Sequence, residues 1–532
     1  MKRVLWWFMA VITVAMYAFN VQRHYFLCDD SYISFRYAQN LIDGHGLVFN
    51  PGEAVEGYTN FLWVLIVAAG MVLRLPPEIL SSVIGIGSGL GVLGLVAWFT
   101  AKRLSWDHPL IWAAPLMLAS SRTFAMWSSG GLETMFFTVL VFGAILRFLH
   151  ERTQPDRFWA SALLLAAATL TRPEGGLFTF ILGCFFLGDV LWRKRTLQHL
   201  LAWSSLWFAL VGAHFLFRYA TYGAWLPNTF HAKVNGLWWS QSFEYFSLYL
   251  SDYDGIWYLW LALVPLAFHR AQKLYATSLF VVLAVVYLCY VGAIGGDRFE
   301  FRFLVCIYPL VFWLIAEGIR LLTSWEGIPE DVALGLAHIG VLAVAVVTLA
   351  GGIETEAQSH PTIASAHHMR AYANRRAREG KFLGDLVRSQ KLPANTRLCV
   401  GGAGAVPYYS GLYTLDYHGL SDAEVVKSKI QRRSLIAHEH RAAPAYMAEK
   451  EIHMYDVLGR LVHKHVDGPK KALARAQDRV ESLNRKEKGN LVARCRYVEE
   501  RFIIYASTLT KSDHQRLFGH IDRCRTHFGE GP

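Results

Sequence analysis

Apolar residues in this chain come in long runs separated by short polar turns, not in the half-polar stripes of water-soluble helices. The first run, Val4 to Leu27, leads directly to a pair of acids, Asp29 and Asp30. A helix needs about 20 apolar residues to cross a bilayer core. On that criterion further spans are expected near 79–101, 109–120, 132–149, 157–171, 175–192, 197–219, 256–268, 274–292, 302–320 and 332–351. Together these make about eleven crossings. The stretch Phe61 to Leu75 is apolar but short and ends at Arg74-Leu75-Pro76-Pro77, so it is expected to lie in the interface or to re-enter.

The polar residues between the runs sort by side. Lys2 and Arg3 put the N-terminus in the cytoplasm. Counting crossings alternately, the inner turns hold Lys102-Arg103, Arg147 to Arg157, Arg193-Lys194-Arg195, His269 to Lys273 and Arg320. The outer turns hold Asp29 to Asn60, Ser128 to Thr134, Thr171 to Gly176, Tyr222 to Lys233 and Gly295 to Phe303. Acidic, basic, histidine and glycine residues gathered at helix mouths on one side point to a polar cavity, because ionisable groups near a bilayer are costly to keep without a function. Two neighbouring carboxylates repel, which raises one pKa and suits a general base. The alternative for Asp29 and Asp30 is helix capping.

After Gly351 the composition turns polar and helix-prone. Arg397 to Asp422 reads as strand, glycine-rich turn, short helix, strand, which is an α/β unit. Its Gly401-Gly402-Ala403-Gly404 lacks the spacing and partner residues of a nucleotide fingerprint and is expected to be a tight structural turn. The fold class is therefore an α-helical polytopic membrane protein with a C-terminal soluble α/β domain outside the cytoplasm. Residues 1–352 form the membrane module, with 28–60 as its first outer loop, and 353–532 the soluble domain.

Composition agrees: 54% of the 532 residues are hydrophobic and only 17% charged. The net charge of +11 lies largely in inner turns and the C-terminal tail, where lipid headgroups explain it better than nucleic acid. Seven cysteines show no CxxC or metal spacing, and one disulfide among Cys399, Cys495 and Cys524 is allowed but not demanded. The N-terminal run is too long for a cleaved signal and has no small-x-small site before Asp29, so it is expected to be retained.

With these motifs collected, the chain resembles the GT-C superfamily of integral-membrane glycosyltransferases that use lipid-phosphate sugars. The acidic pair after the first helix is the first element of that resemblance. The longer pattern DDSYISFRYAQNLIDGHGLVFNPGEAVEGYTN, with ETMFF, RPEGG, LPNTFHAK and GGDRFEFRF, is similar to the bacterial terminal β-(1→2)-arabinofuranosyltransferase branch. It covers roughly residues 1–420; the tail beyond about 430 shows no such likeness. The resemblance implies an inverting transfer of a pentose, arabinofuranose, from a polyprenyl-phosphate donor to a glycan, lipid or protein acceptor of the cell envelope, with membrane lipids as surroundings and no nucleic acid partner.

It also implies roles: Asp29 as base, with Asp30 orienting it or holding a divalent cation (Mg, Mn or Ca). Asp297 is a second candidate for that cation or for sugar hydroxyls. Arg36, His231, Lys233, Arg298 and Arg302 are phosphate-binding candidates, and Glu56, Tyr58, Glu133, Arg172, Glu174 and Asn228 would line the sugar pocket. Gly295-Gly296 would let backbone approach a ligand. Arg36, the Arg172-Glu174 pair and His231 also have purely structural readings. Beside the enzyme stands a non-catalytic flippase of lipid-linked sugars, which would place its polar groups at the midplane and often show inverted repeats. The expected location is the bacterial cytoplasmic (inner) membrane, with the active face and the C-terminal domain outside.

The alternation of basic turns generates a test of topology. A cysteine replacing Asp467, on a background without native thiols, should react with a membrane-impermeant thiol reagent in intact cells. Labelling only after lysis would reverse the orientation.

Overall fold

A computed structural model describes residues 2–154, 159–233, 236–252, 256–268, 271–324, 328–354, 363–428, 430, 438–464, 469–487 and 489–524. The basic turns at 155–157 and 269–270, and Asp467, lie outside the described residues. Among those described, seven helices are long and apolar enough to cross a membrane: Arg3–Arg23, Pro77–Ala101, Thr134–Glu151, Leu197–Tyr222, Lys273–Ile294, Arg302–Thr323 and Glu330–Ala350. The other four expected spans fold as the shorter apolar helices Pro109–Ser120, Ala160–Thr171, Gly175–Leu191 and Tyr258–Phe268. Length is the reason they stand apart. The 12-residue helix Ala160–Thr171 rises only roughly 18 Å, against a core of about 30 Å. The stretch expected at the interface is the separate short helix Phe61–Val72. This is a multi-pass membrane protein.

The chain divides into two compact units. The membrane unit comprises Met1–Leu27, Thr59–Ala220 and Gly236–Met369. The second, which we call the extramembrane unit, comprises Cys28–Tyr58, Thr221–Asn235 and Arg370–Pro532. This differs from the division expected from sequence. Composition put the boundary at 352 and gave residues 28–60 to the membrane module. In the structure residues 28–58 and 221–235 fold with the C-terminal part, through bonds that span hundreds of residues.

Within the membrane unit the helix Leu197–Tyr222 turns Leu201, Phe208 and Leu216 outward, as a lipid-facing helix does, whereas Arg302–Thr323 is largely enclosed by neighbours. The turns rich in Lys and Arg also hold buried acids. Asp189 is fully buried and accepts hydrogen bonds from Arg152 at 2.9 Å and Tyr275 at 3.0 Å. Glu151 accepts the Ser161 amide, tying two helix ends together.

The extramembrane unit is built on a seven-stranded mixed sheet. Its strands are β1 (Arg397–Val400), β2 (Tyr413–Asp416), β3 (Met454–Tyr455), β4 (Val462–Lys464), β5 (Val492–Val498), β6 (Arg501–Ser507) and β7 (Asp522–Arg523). The order is β2-β1-β3-β6-β5-β7, with β4 also on β6. β1 is parallel to β2 and β3, and the remaining pairs are antiparallel. Period-two alternation along β6 sorts its side chains. Phe502, Ile504 and Ala506 pack with Ala472, Ala476 and Val480 of the helix Pro469–Glu487. Ile503 and Tyr505 pack on the other face with Phe382, Leu383 and Leu386 of the helix Ala366–Arg388. The strand, turn, helix, strand reading of Arg397 to Asp422 holds: β1, the helix Ala405–Ser410 and β2 follow one another. Of the three candidate cysteines, Cys495 and Cys524 form the disulfide and Cys399 is free and buried.

Candidate functional site

The helix Lys2–Arg23 ends short of the acidic pair, and the chain turns at Asp29 and Asp30 before the helix Ser31–Ile42. Asp30 occupies the N-cap position, yet its side chain makes no capping bond. The Asp29 side chain reaches a distant part of the chain. Its carboxylate is buried and accepts the Ala405 amide at 3.0 Å, from a residue 376 positions away. The glycine turn makes this possible. A Cβ on Gly404 would run into the Asp29 carbonyl oxygen and stand 2.6 Å from Oδ2. One on Gly402 would strike the Tyr372 hydroxyl and stand 3.4 Å from the same Oδ2. The turn that sequence identified as structural is thus the seat of the candidate base. Glycine is needed there for close approach, not for an unusual φ. Only the spatial partner could have revealed this; no local signal in residues 401–404 points to Asp29.

Other sequence candidates in this unit are committed to the fold. Arg36 was expected to bind phosphate. Instead its buried guanidinium donates to the carbonyls of Phe49 (2.6 Å), Pro407 (2.5 Å) and Leu412 (2.9 Å) and to Asn50 Oδ1 (3.1 Å), and stacks on the Phe49 ring. With four acceptors of the protein around it, Arg36 fastens the loop rather than a ligand. Asn228, expected in the sugar pocket, donates its amide to the carbonyls of Gly419 (2.7 Å) and Leu420 (3.0 Å), while its backbone N–H meets Glu56 O. Tyr58 shares a hydroxyl contact of 3.1 Å with Tyr222, itself bonded to Leu47 O. Glu56 is buried, and His231 and Lys233 are exposed on the short helix Asn228–Lys233.

The membrane unit carries a separate buried polar group. Arg172 is held by Glu133 at 3.0 Å and, through two nitrogens, by Glu174 at 2.9 and 3.3 Å. Asn60 donates to the other Glu133 oxygen at 2.8 Å. Nearby, Arg302 makes two bonds to Asp297, at 2.7 and 3.3 Å. Both guanidiniums lie over the Phe303 ring, Arg172 at 5.1 Å and Arg302 at 5.2 Å. Arg298 sits over Phe299. Arg122 pairs with Glu300, which also takes the Ala366 amide. Glu133, Arg172, Glu174, Asp297 and Arg302 therefore lie close together, paired among themselves, and two details differ from expectation. Arg298 and Arg302 do not share a helical face, because the chain from Gly295 to Phe301 is irregular; Phe301 has φ 45°, and a 3-10 helix starts only at Arg302. Gly295 and Gly296 cap the preceding helix and pack against Trp238 and Tyr245, so backbone approach to a ligand is not their role.

Asp297 does not fit the cation role. Both Asp297 oxygens are taken by Arg302, and among the described residues no three His, Cys, Asp or Glu groups are arranged to hold a metal.

A family model described as "Domain of unknown function (DUF8728)" matches residues 366–505. It therefore takes in residues beyond 430, where sequence motifs offered no likeness. A curated terminal beta-(1->2)-arabinofuranosyltransferase of Mycobacterium tuberculosis is 26% identical over 285 residues, 50% of this chain and 43% of that protein. One of the same description from Corynebacterium glutamicum is 26% identical over 344 residues, 56% of this chain and 49% of that protein. The chain spans about half the length of these curated relatives. The structure of ArnT from Cupriavidus metallidurans bound to undecaprenyl phosphate matches with TM-score 0.58 at 12% identity, covering 95% of this chain and 98% of that one. The Archaeoglobus fulgidus oligosaccharyltransferase matches with TM-score 0.50 at 9% identity, over 95% of this chain and 74% of that one. The fold is the GT-C fold.

The new role of Arg36 has a measurable consequence. Arg36→Ala leaves several buried carbonyls without donors and should destabilise the protein by about 3 kcal/mol or more. Thermal unfolding of the detergent-solubilised protein should move down by several degrees; an unchanged midpoint would contradict the fastening role.

Proposed function

We propose that this chain is a membrane glycosyltransferase that moves a pentose, arabinofuranose, from a polyprenyl-phosphate carrier to a cell-envelope glycan, lipid or protein. The observation that carries this reading is the buried Asp29 carboxylate, fixed by the Ala405 amide against a glycine turn, in a GT-C fold. The names of the curated relatives support the sugar and the reaction class. The undecaprenyl phosphate bound to ArnT supports the carrier.

The chemistry follows from the leaving group. A prenyl phosphate departs as a stable anion, so it needs charge neutralisation more than a proton. The acceptor hydroxyl, by contrast, needs a base. Asp29 accepts that proton as the acceptor oxygen attacks the anomeric carbon. The bond from that carbon to the phosphate oxygen breaks, with its electron pair leaving on the phosphate. A single displacement of this kind inverts the anomeric centre, and one carboxylate suffices for it, unlike the two-carboxylate hydrolases. The Ala405 amide holds Oδ1 and so fixes the plane of the carboxylate that meets the acceptor. Asp30 beside it maintains a negative local field. In the membrane unit, Arg298 and Arg302 are the cations we assign to the donor phosphate, Arg302 being oriented by Asp297. Glu133, Arg172 and Glu174 are assigned to sugar hydroxyls. We place the protein in the bacterial cytoplasmic membrane with the extramembrane unit outside. The Cys495–Cys524 disulfide supports that side, because disulfides persist in oxidising compartments.

Asp29→Asn preserves the size of the side chain and an oxygen for the Ala405 amide while removing the base. Transfer by the purified, folded variant should fall by about 10²–10⁴-fold. Near-wild-type turnover would remove Asp29 from the mechanism.

A further inference from the structure

The candidate base is flanked on two sides within the extramembrane unit. The glycine turn provides one; the helix Ala366–Arg388 provides the other. That helix is pinned to the sheet one turn beyond Tyr372. Arg376, 1% exposed, donates through Nη1 to Glu379 and to Asp456, each at 2.7 Å. Asp456 directly follows β3. Glu379 in turn accepts the Leu461 and Val462 amides at the start of β4. Tyr372 and Arg376 are four residues apart and so lie on one face of the helix. The pin therefore fixes where the phenol goes. Its hydroxyl comes up against Gly402, and the same vacant Cβ position of Gly402 lies 3.4 Å from Asp29 Oδ2. Phenol and carboxylate therefore both border the space that a Gly402 side chain would fill.

We propose that Tyr372 is a positioning residue for the base: its hydroxyl donates to Asp29 Oδ2 as the Ala405 amide donates to Oδ1. The proposal rests on the reading of Asp29 as base and makes the helix Ala366–Arg388, within the module of unassigned role at 366–505, part of the catalytic apparatus. Two donors on one carboxylate do two things. They lock its plane, so the attacking hydroxyl meets a fixed lone pair. They also favour the ionised form, which keeps the base ready at neutral pH.

Several charged groups share this setting. Burial alone would lower the Arg376 pKa, but Glu379, Asp456, Tyr372 and Asp29, in that order, outweigh it and raise it. Burial raises Glu379, against the pull of Arg376. Asp30 adjoins the base in sequence. On the far side of the glycine turn His418 Nε2 lies 3.5 Å from the vacant Cβ position of Gly401. Behind it Asp416 accepts the His418 and Ser421 amides and is pushed up by burial to about 6. Of these groups Arg376 has Tyr372 among its influences, and a guanidinium stays charged across the assayed range, so a shift seen on removing the hydroxyl belongs to the base.

The test is Tyr372→Phe in the full-length protein, assayed across pH in nanodiscs with a synthetic polyprenyl-phosphoryl pentose. Loss of a donor to a carboxylate raises its pKa. The acidic limb of the kcat/KM profile should therefore move up by about 0.5–1 pH unit. At neutral pH kcat should drop about tenfold. The donor KM should stay within about twofold. The melting temperature of Tyr372→Phe reports any purely structural effect. An unmoved acidic limb with unchanged kcat per folded molecule would overturn the proposal, whatever the melting temperature. The two readings fail separately. If Asp29→Asn is active, the base assignment falls. If Asp29→Asn is inactive and Tyr372→Phe keeps the wild-type profile, only the positioning role falls.

Discussion

The bond from the Ala405 amide to the Asp29 carboxylate is the constraint on which the rest of this account depends. It joins the first residues after the first membrane helix to a turn between two strands of the C-terminal sheet. An ionisable carboxylate is costly to bury, and is kept only where donors compensate it. Here the compensation comes from backbone, and backbone can come close only because residues 402 and 404 have no side chains. A mobile surface acid could not hold a lone pair on an acceptor hydroxyl. Arg36 and Asn228 serve the same end from further out, fastening residues 28–58 and 221–235 to the strands that bear the turn.

The membrane unit handles its charges differently. Glu133, Arg172 and Glu174 form one compensated group and Asp297 and Arg302 another, and both guanidiniums lie over the Phe303 ring. Removing one partner of such a group would leave a buried charge, and that costs more than the pair contributes. These residues are therefore bound to one another before any ligand arrives. Under the proposed function, a donor phosphate at Arg302 would replace Asp297, exchanging one anion for another.

What the sequence made legible follows from range. Apolar runs and the strand, turn, helix, strand pattern after Arg397 are local signals, and each corresponds to elements in the structure. Span length misled where helices such as Ala160–Thr171 are apolar but short. Residue type marked Asp29, Arg172 and Arg302 as unusual, and all three sit in buried polar groups. It could not distinguish Arg36, because a guanidinium for phosphate and one for carbonyls look alike until Pro407 and Leu412 are seen beside it. The division into units was hidden for the same reason, since residues 28–58 find their partners several hundred positions later. Tyr372 gave no signal at all. A lone tyrosine on a polar helix is ordinary until its hydroxyl is found against Gly402.

The central claim is that a carboxylate in this fold activates an acceptor for attack on a lipid-phosphate sugar. The most direct measurement follows both products. Purified protein in nanodiscs, given a polyprenyl-phosphoryl arabinofuranose and a glycan acceptor, is examined by ³¹P and ¹H NMR. The account predicts free polyprenyl phosphate in equal amount to a new glycoside of opposite anomeric configuration. Retention of configuration, or a lipid-linked sugar that crosses vesicle membranes unchanged with no glycoside formed, would contradict it.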